Sequence, residues 1–134
     1  MARRTLKNGR RSSSPFLALP AEVINSEAFL SLSSHAVRLL IDLGAQYRGH
    51  NNGDLCGTWS IMRQRGWRSP GTLERAKKEL IEAGFIEQTR WGGRNRCSLY
   101  ALAWRGIDEC DGKLDVDASA SPSRKWRRAD ESGN

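Results

Sequence analysis

The feature that most constrains this chain is the run from Ser69 to Trp104, where helical and then strand patterns follow one another without a break. Ser69 can accept hydrogen bonds from the free amides of a first helical turn, and Pro70 suits the first helical position. Apolar residues then recur at helical spacing, at Leu73, Ala76, Leu80 and Ala83. Gly84 follows, where a left-handed C-terminal cap needs no Cβ. The pattern predicts a helix over about 69–83, with Gly71, Arg75, Lys78 and Glu82 opposite the apolar stripe.

Two short apolar segments after this helix predict a β-hairpin. The first contains Phe85, Ile86 and Thr89, and the second contains Leu99, Tyr100, Leu102 and Trp104. Gly92 and Gly93 lie between them, and paired glycines supply the backbone freedom that a tight reversal needs. We therefore expect the chain to reverse direction at these two glycines.

Three arginines surround the predicted reversal, and no acidic residue lies among them. They are Arg90, Arg94 and Arg96. A guanidinium group is a permanent planar donor that suits phosphate or minor-groove contact. An ordinary solvated turn is the alternative, but the clustering favours a nucleic-acid contact.

The charge distribution divides the chain into three parts. The protein has 134 residues and a net charge of +7, which favours polyanionic partners and fits one domain with tails. Residues 1–15 carry five basic and no acidic side chains and are predicted to be a flexible, disordered basic arm. Residues 16–110 form the predicted domain. Residues 111–134 carry five charges of each sign and few apolar side chains, which predicts a mostly disordered tail.

The residues upstream of Ser69 complete the predicted order of elements. Residues 16–20 read as an apolar entry segment, and a short helix starts near Asn25 or Ser26. A stronger helix covers about 34–47, a short strand covers 54–56, and a helix capped by Thr58 covers 59–65. The fold class is therefore predicted to be α+β, with a three-helix core and a β-hairpin.

At this point the chain resembles the winged helix-turn-helix superfamily. The resemblance covers roughly residues 16–107 and is carried by TWSIMRQRGWRSPGTLERAKKELIEAGFIEQTR and by GGRNR in the hairpin. The chain is also similar to small proteobacterial and phage proteins and to the N-terminal modules of phage and plasmid replication initiators. The turn at 51–53 and the junction at 80–86 carry this second similarity.

The resemblance implies double-stranded DNA binding, with the helix at 69–83 as recognition helix and the hairpin loop as wing. The expected DNA-contacting residues are Arg68, Ser69, Thr72, Arg75, Lys78, Arg90, Arg94 and Arg96. The implied role is transcription regulation or replication initiation of a phage or mobile element. The implied place is the bacterial cytoplasm, associated with the nucleoid. Monomer and homodimer both stay open, and the C-terminal tail is a candidate contact for a protein partner.

Two other functions remain open at the level of sequence. One is a winged-helix protein–protein interaction module without DNA binding, which the helix carboxylates at Glu74, Glu79 and Glu82 favour. The other is a basic RNA-binding protein. A continuous positive face joining Arg75, Lys78 and Arg94 would favour DNA, whereas an apolar patch there would favour a protein partner.

The sequence offers no catalytic, cofactor or metal site. Asp42, Asp54 and Glu22 form no evident pair and are expected to be solvated. The three cysteines match no zinc or redox spacing, and no stretch predicts a membrane span or a secretion signal. Among the tryptophans, Trp59 and Trp104 are expected in the core and Trp91 at the surface, while Trp67 could be either. We therefore expect a non-enzymatic protein without cofactor, metal or membrane.

Overall fold

A computed structural model describes residues 15–127, and it confirms a mixed α+β fold. Five α-helices and a three-stranded antiparallel sheet occupy this range. The elements are α1 (Ala21–Ile24), α2 (Glu27–Leu30), α3 (Ser34–Gly44), β1 (Leu55–Cys56), α4 (Trp59–Met62), α5 (Pro70–Ala83), β2 (Ile86–Arg90) and β3 (Leu99–Leu102). A 3-10 turn, Arg63–Arg65, extends α4 toward α5. All but Pro15 of the predicted basic arm lies outside the described residues.

The helix ends follow the capping signals in the sequence. Ser33 accepts a hydrogen bond from the amide of Ala36 at the start of α3, and Ser69 accepts one from Thr72 at the start of α5. Gly84 ends α5 with a φ of 88°, a left-handed conformation that side chains with a Cβ rarely adopt. The predicted boundaries of α5 are therefore confirmed.

The sheet has the order β1-β3-β2, so β3 lies in the centre. Leu55 pairs with Tyr100 across one side of β3, and Ile86 pairs with Leu102 across the other. The register of β2 against β3 shifts between Gln88 and Arg90, where Thr89 is fully buried. Residues 91–98, which we call the hairpin tip, extend beyond this shift and connect β2 to β3.

The hydrophobic core lies between α3, α5 and the sheet. Its fully buried members include Leu39, Leu40 and Leu43 from α3 and Leu73 and Leu80 from α5. Burying a leucine side chain contributes roughly 1.5–3 kcal/mol, so this helix pair supplies much of the driving force for folding. Trp104 is buried as expected, and Trp59 is partly buried against the same core.

The predicted disorder of residues 111–134 is wrong for the part that the structure describes. Residues 111–127, which we call the C-terminal strap, pack against the domain, and Trp126 is only 1% exposed. Its indole stacks on the ring of Phe85, with ring centroids 5.9 Å apart. A Cβ at Gly84 would lie 2.5 Å from the backbone of Lys125 and Trp126, so the strap crosses α5 where only glycine fits. Residues 128–134 lie outside the described residues.

Candidate nucleic-acid interface

The solvent-facing side of α5 carries the cations that the sequence places there. Arg75 and Lys78 are exposed, together with Gly71 and Glu82, opposite the buried stripe. The guanidinium of Arg75 donates through Nη2 to the hydroxyl of Thr72 at 3.2 Å, which orients it along the helix. Neither Arg75 nor Lys78 has a carboxylate within 4.0 Å among the described residues. Their charges are therefore available to an external anion.

Two of the three carboxylates on α5 are already used within the protein. Glu74 forms an ion pair with Lys77 at 2.8 Å. Glu79 accepts hydrogen bonds from the amide of Ser33 at 2.7 Å and from its hydroxyl at 2.6 Å, which caps the start of α3. Neither of these carboxylates lies within 4.0 Å of the cationic atoms of Arg75 or Lys78.

The start of α5 brings together Arg68, Ser69 and Thr72 beside a shallow depression. The depression has a volume of about 300 Å³, and its other lining residues include His35 and Arg38. Arg68 is exposed, while the hydroxyl oxygen of Ser69 accepts the amide of Thr72 at 3.2 Å. The first amides of a helix and nearby cations together favour an anion at this position.

The turn before α5 is held by a buried carboxylate, and here the expectation of a solvated Asp42 is wrong. Asp42 is 5% exposed and accepts hydrogen bonds from Nε of Arg65 at 2.8 Å and from Nε1 of Trp67 at 2.7 Å. Nε of Arg38 lies 3.5 Å from the same carboxylate. Trp67 is consequently buried, with its ring between α3 and the turn. These contacts fix the turn against α3, and therefore fix where α5 begins.

The hairpin reverses direction at Arg94 and Asn95, and not at the two glycines. Gly93 and Arg96 exchange backbone hydrogen bonds of 3.0 and 3.2 Å across this turn. Asn95 has a φ of 62°, whereas Gly92 and Gly93 do not have positive φ values. Asparagine tolerates the left-handed region better than most residues. The need for Gly92 is one of space, because a Cβ there would lie 2.8 Å from the amide nitrogen of Ser98.

The three arginines of the hairpin have three different environments. Arg90 is half-buried and donates through Nε to the carbonyl of Cys97 at 3.1 Å. Arg96 is exposed but forms an ion pair with Asp115 of the C-terminal strap at 2.7 Å. Arg94 is exposed and has no hydrogen-bond or ion-pair partner among residues 15–127. Of the three, Arg94 is the most readily available to an anion.

One side chain of β3 lies close to α5 near Gly57. A Cβ added to Gly57 would lie 3.3 Å from the side chain of Lys77 and 3.7 Å from that of Tyr100. Burial raises the pKa of the Tyr100 hydroxyl, and the negative charge of Glu74 adds to that shift. Tyr100 of β3 and Lys77 of α5 therefore come together at Gly57.

Sequence reasoning missed two polar residues that organise this region. Asn52 is fully buried: its side-chain amide donates to the carbonyls of Leu102 and Gly106, and its Oδ1 accepts the amide of Leu102. The turn at 51–53 marks its position in the sequence, but nothing local indicates these distant partners. Asp115 lies in a segment that the sequence predicts to be disordered, and no sequence signal indicates its contacts with the hairpin tip.

The described residues contain no cluster of three or more histidine, cysteine or carboxylate side chains arranged to hold a metal ion. The thiols of Cys56, Cys97 and Cys110 are free. Burial, helped by the nearby charge of Asp54, raises the pKa of Cys110 to about 11, which keeps this thiol protonated near neutral pH. No helix among residues 15–127 is both long and apolar enough to cross a bilayer.

Comparisons with protein-family models, with curated proteins and with solved structures find no match for this chain.

Proposed function

We propose that this protein binds double-stranded DNA as a single winged helix-turn-helix domain, with α5 in the major groove and the hairpin tip as the wing. The observation that carries the proposal is a set of exposed cations without acidic partners on α5, on the turn before it and at the hairpin tip. They are Arg68, Arg75, Lys78 and Arg94. Unpaired cations on one helix and an adjacent loop are the electrostatic signature of a duplex-binding surface.

The order of elements supports the winged-helix part of the proposal. A core helix, a short strand, a helix, a tight turn and a second helix are followed by a hairpin whose returning strand lies in the centre of the sheet. In helix-turn-helix proteins, the second helix of the pair enters the major groove while the first crosses the backbone. Here α5 takes the place of the second helix and α4 that of the first.

Each proposed contact follows from the chemistry of its side chain. Arg75 and Lys78 donate to the acceptor edges of guanine, while Thr72 and Arg68 flank them. Ser69 and the start of α5 bind a phosphate. In the hairpin, Arg94 contacts the backbone or minor groove, and Arg90 and Arg96 add positive charge beside it. The cations of residues 3–11 add attraction that does not depend on sequence.

We place this binding in transcription regulation or replication initiation of a phage or mobile element, in the bacterial cytoplasm beside the nucleoid. This part of the proposal rests on the sequence similarity around residues 51–53 and 80–86.

The test compares two variants that remove positive charge from different surfaces. In the first, Arg75→Ala and Lys78→Ala are combined on α5. In the control, Arg48→Ala removes an exposed arginine from the turn after α3. A preferred duplex is first selected from a random pool, and affinities are then measured by fluorescence anisotropy on that duplex and on a scrambled one.

We expect the α5 variant to lose about tenfold or more on the preferred duplex and less on the scrambled one. An arginine that reads a base edge contributes roughly 1–3 kcal/mol of discrimination, whereas nonspecific binding rests on phosphates. The control should change either affinity by less than about threefold. If the parent protein binds no duplex, or if both variants bind as the parent does, the DNA proposal fails. Capture of a protein through α5 would then favour the interaction module.

A further inference from the structure

Asp115 of the C-terminal strap contacts the hairpin at three points, and its carboxylate makes the two that lie in the hairpin tip. The amide of Asp115 donates to the carbonyl of Thr89 at 2.8 Å. Its Oδ2 accepts the amide of Trp91 at 2.9 Å, and its Oδ1 accepts Nη2 of Arg96 at 2.7 Å. The hydrogen bond from Trp91, followed by that from Arg96, holds the pKa of Asp115 below its usual range. The carboxylate is therefore ionised near neutral pH.

The hairpin tip has little else to hold it. Residues 91–96 are all exposed, and their remaining hydrogen bonds stay within the hairpin, between Gly93 and Arg96 and from Gly92 to Ser98. Among the described residues, Asp115 is the single residue from outside the hairpin that hydrogen-bonds to residues 91–96. The orientation of the tip relative to the domain thus depends on this contact.

The strap is itself anchored on both sides of Asp115. Nζ of Lys113 forms an ion pair with Asp54 at 2.9 Å, and Leu114 packs closely over Gly53. Ser119 exchanges backbone hydrogen bonds with Ile107 at 2.8 and 2.9 Å. Asp115 therefore connects the tip to a fixed part of the protein and not to a loose segment.

We propose that Asp115 is a positioning residue for DNA binding, which orders the hairpin tip before the duplex arrives. The inference rests on the proposed function and deepens it. A flexible loop loses conformational freedom when it binds, and a loop already held in its bound conformation loses less. Asp115 holds the tip by its first residue, Trp91, and by Arg96, one residue beyond the turn, which leaves Arg94 between them free to contact DNA.

If Asp115 acted only through its negative charge, removing its carboxylate would strengthen DNA binding, which is the opposite of the effect expected for a positioning residue. Asp115 is an acidic group beside a surface proposed to meet phosphates, so deleting its charge should strengthen binding through reduced repulsion. Positioning predicts that the same deletion weakens binding. The sign of the change therefore separates the two effects.

The experiment uses Asp115→Ala and a matched control, Asp117→Ala. Asp117 is an exposed carboxylate two residues further along the strap, and it has no hydrogen-bond or ion-pair partner among residues 15–127. Both variants raise the net charge by one. Affinity for a preferred duplex is measured by anisotropy, and the order of residues 91–96 in the free protein is measured by heteronuclear NMR relaxation. Circular dichroism confirms that both variants are folded.

We expect Asp115→Ala to weaken duplex binding about fivefold or more and to increase the mobility of the tip, while Asp117→Ala leaves mobility unchanged and affinity equal or slightly tighter. Asp115→Asn should recover part of the order and affinity, because its side-chain oxygen can still accept the amide of Trp91. Arg96→Ala should cost less in the Asp115→Ala background than in the parent.

Equal or tighter binding by Asp115→Ala, or a tip that stays ordered in that variant, would overturn the positioning role. A parent protein that binds no duplex overturns the proposed function instead, and the relaxation data then still report whether Asp115 orders the tip. The two failures are therefore distinguishable.

Discussion

At the scale of single residues, Asp42 links the core helix α3 to the turn that leads into the proposed interface. Its buried carboxylate lies on α3 but accepts hydrogen bonds from Arg65 and Trp67, which flank the turn into α5. Carboxylates are rarely buried unless they are paired. One side chain on the core helix thereby determines the position of the helix proposed to read DNA.

We predict that Asp42→Ala lowers the free energy of unfolding by about 2–3 kcal/mol. The substitution leaves the buried Nε1 of Trp67 without an acceptor, and such an orphaned group costs about 1–3 kcal/mol. The guanidinium groups of Arg38 and Arg65 are about half exposed, so water can replace the lost carboxylate, and losing these two ion pairs costs less stability. Urea denaturation followed by circular dichroism measures the change.

Glu82→Ala serves as the control, because Glu82 is exposed on α5 and alanine is a good helix former. It should change stability by less than about 0.5 kcal/mol. If Asp42→Ala is as stable as this control, the carboxylate does not stabilise the turn that leads into α5.

At the scale of elements, α5 could be predicted from the sequence and the C-terminal strap could not. The evidence for α5 is local: a cap at Ser69, an apolar stripe and a glycine at its end. The strap has few apolar residues, and its order depends on surfaces far away in the chain. The indole of Trp126 is buried because it stacks on the ring of Phe85 and because Gly84, without a Cβ, leaves space for the backbone of the strap.

The residues of the candidate interface also differ in how far the sequence predicts them. Helical spacing predicts that Arg75 and Lys78 face outward, and both do. The differences among Arg90, Arg94 and Arg96 were not predictable, because they depend on Cys97 and Asp115, and the latter contact spans 19 residues. The burial of Asp42 was not predictable for a similar reason, since its partners lie 23 and 25 residues further along the chain.

We predict that two tryptophan substitutions will show different contributions to stability, a large one from the strap and a small one from the hairpin tip. Trp126→Ala should lower the free energy of unfolding by about 3–5 kcal/mol, because a fully buried ring leaves a cavity beside Phe85. Trp91→Ala should change it by no more than about 0.5 kcal/mol, since this ring is 54% exposed. Chemical denaturation at matched protein concentrations measures both. Equal stability of the two variants would show that the strap does not contribute to the core.

At the scale of the whole molecule, positive charge is concentrated away from the strap. Of the net charge of +7, residues 1–15 contribute five units and residues 111–134 contribute none, which leaves two units for the domain between them. Charge that is spread over an arm attracts any polyanion. Charge placed on a helix and a hairpin can also discriminate among sequences.

We predict that duplex affinity falls steeply with salt, with a log–log slope of about −0.9 for each phosphate neutralised. Replacing the arm's five basic residues by glutamine should weaken binding to every duplex and make that slope shallower. The five are Arg3, Arg4, Lys7, Arg10 and Arg11. This variant keeps the length of the arm, so a change reports its charge alone.

The ratio of affinities for preferred and scrambled duplexes should stay nearly constant in this variant, because the arm has no role in base recognition. Anisotropy titrations at several salt concentrations give both quantities. Affinity that does not respond to salt would argue against phosphate contacts throughout the molecule.

The crossing of the strap over Gly84 has a consequence for the way this protein is made. During synthesis a chain emerges from the ribosome with its N-terminus first, and most domains can begin to fold as they emerge. Here the indole that closes the core belongs to residue 126, about forty positions after the ring it covers. Trp126 therefore cannot cover Phe85 until residue 126 itself has left the exit tunnel. A premature stop after β3 would release a chain that lacks Trp126 and leaves Phe85 uncovered, and such exposed apolar surface is prone to aggregation.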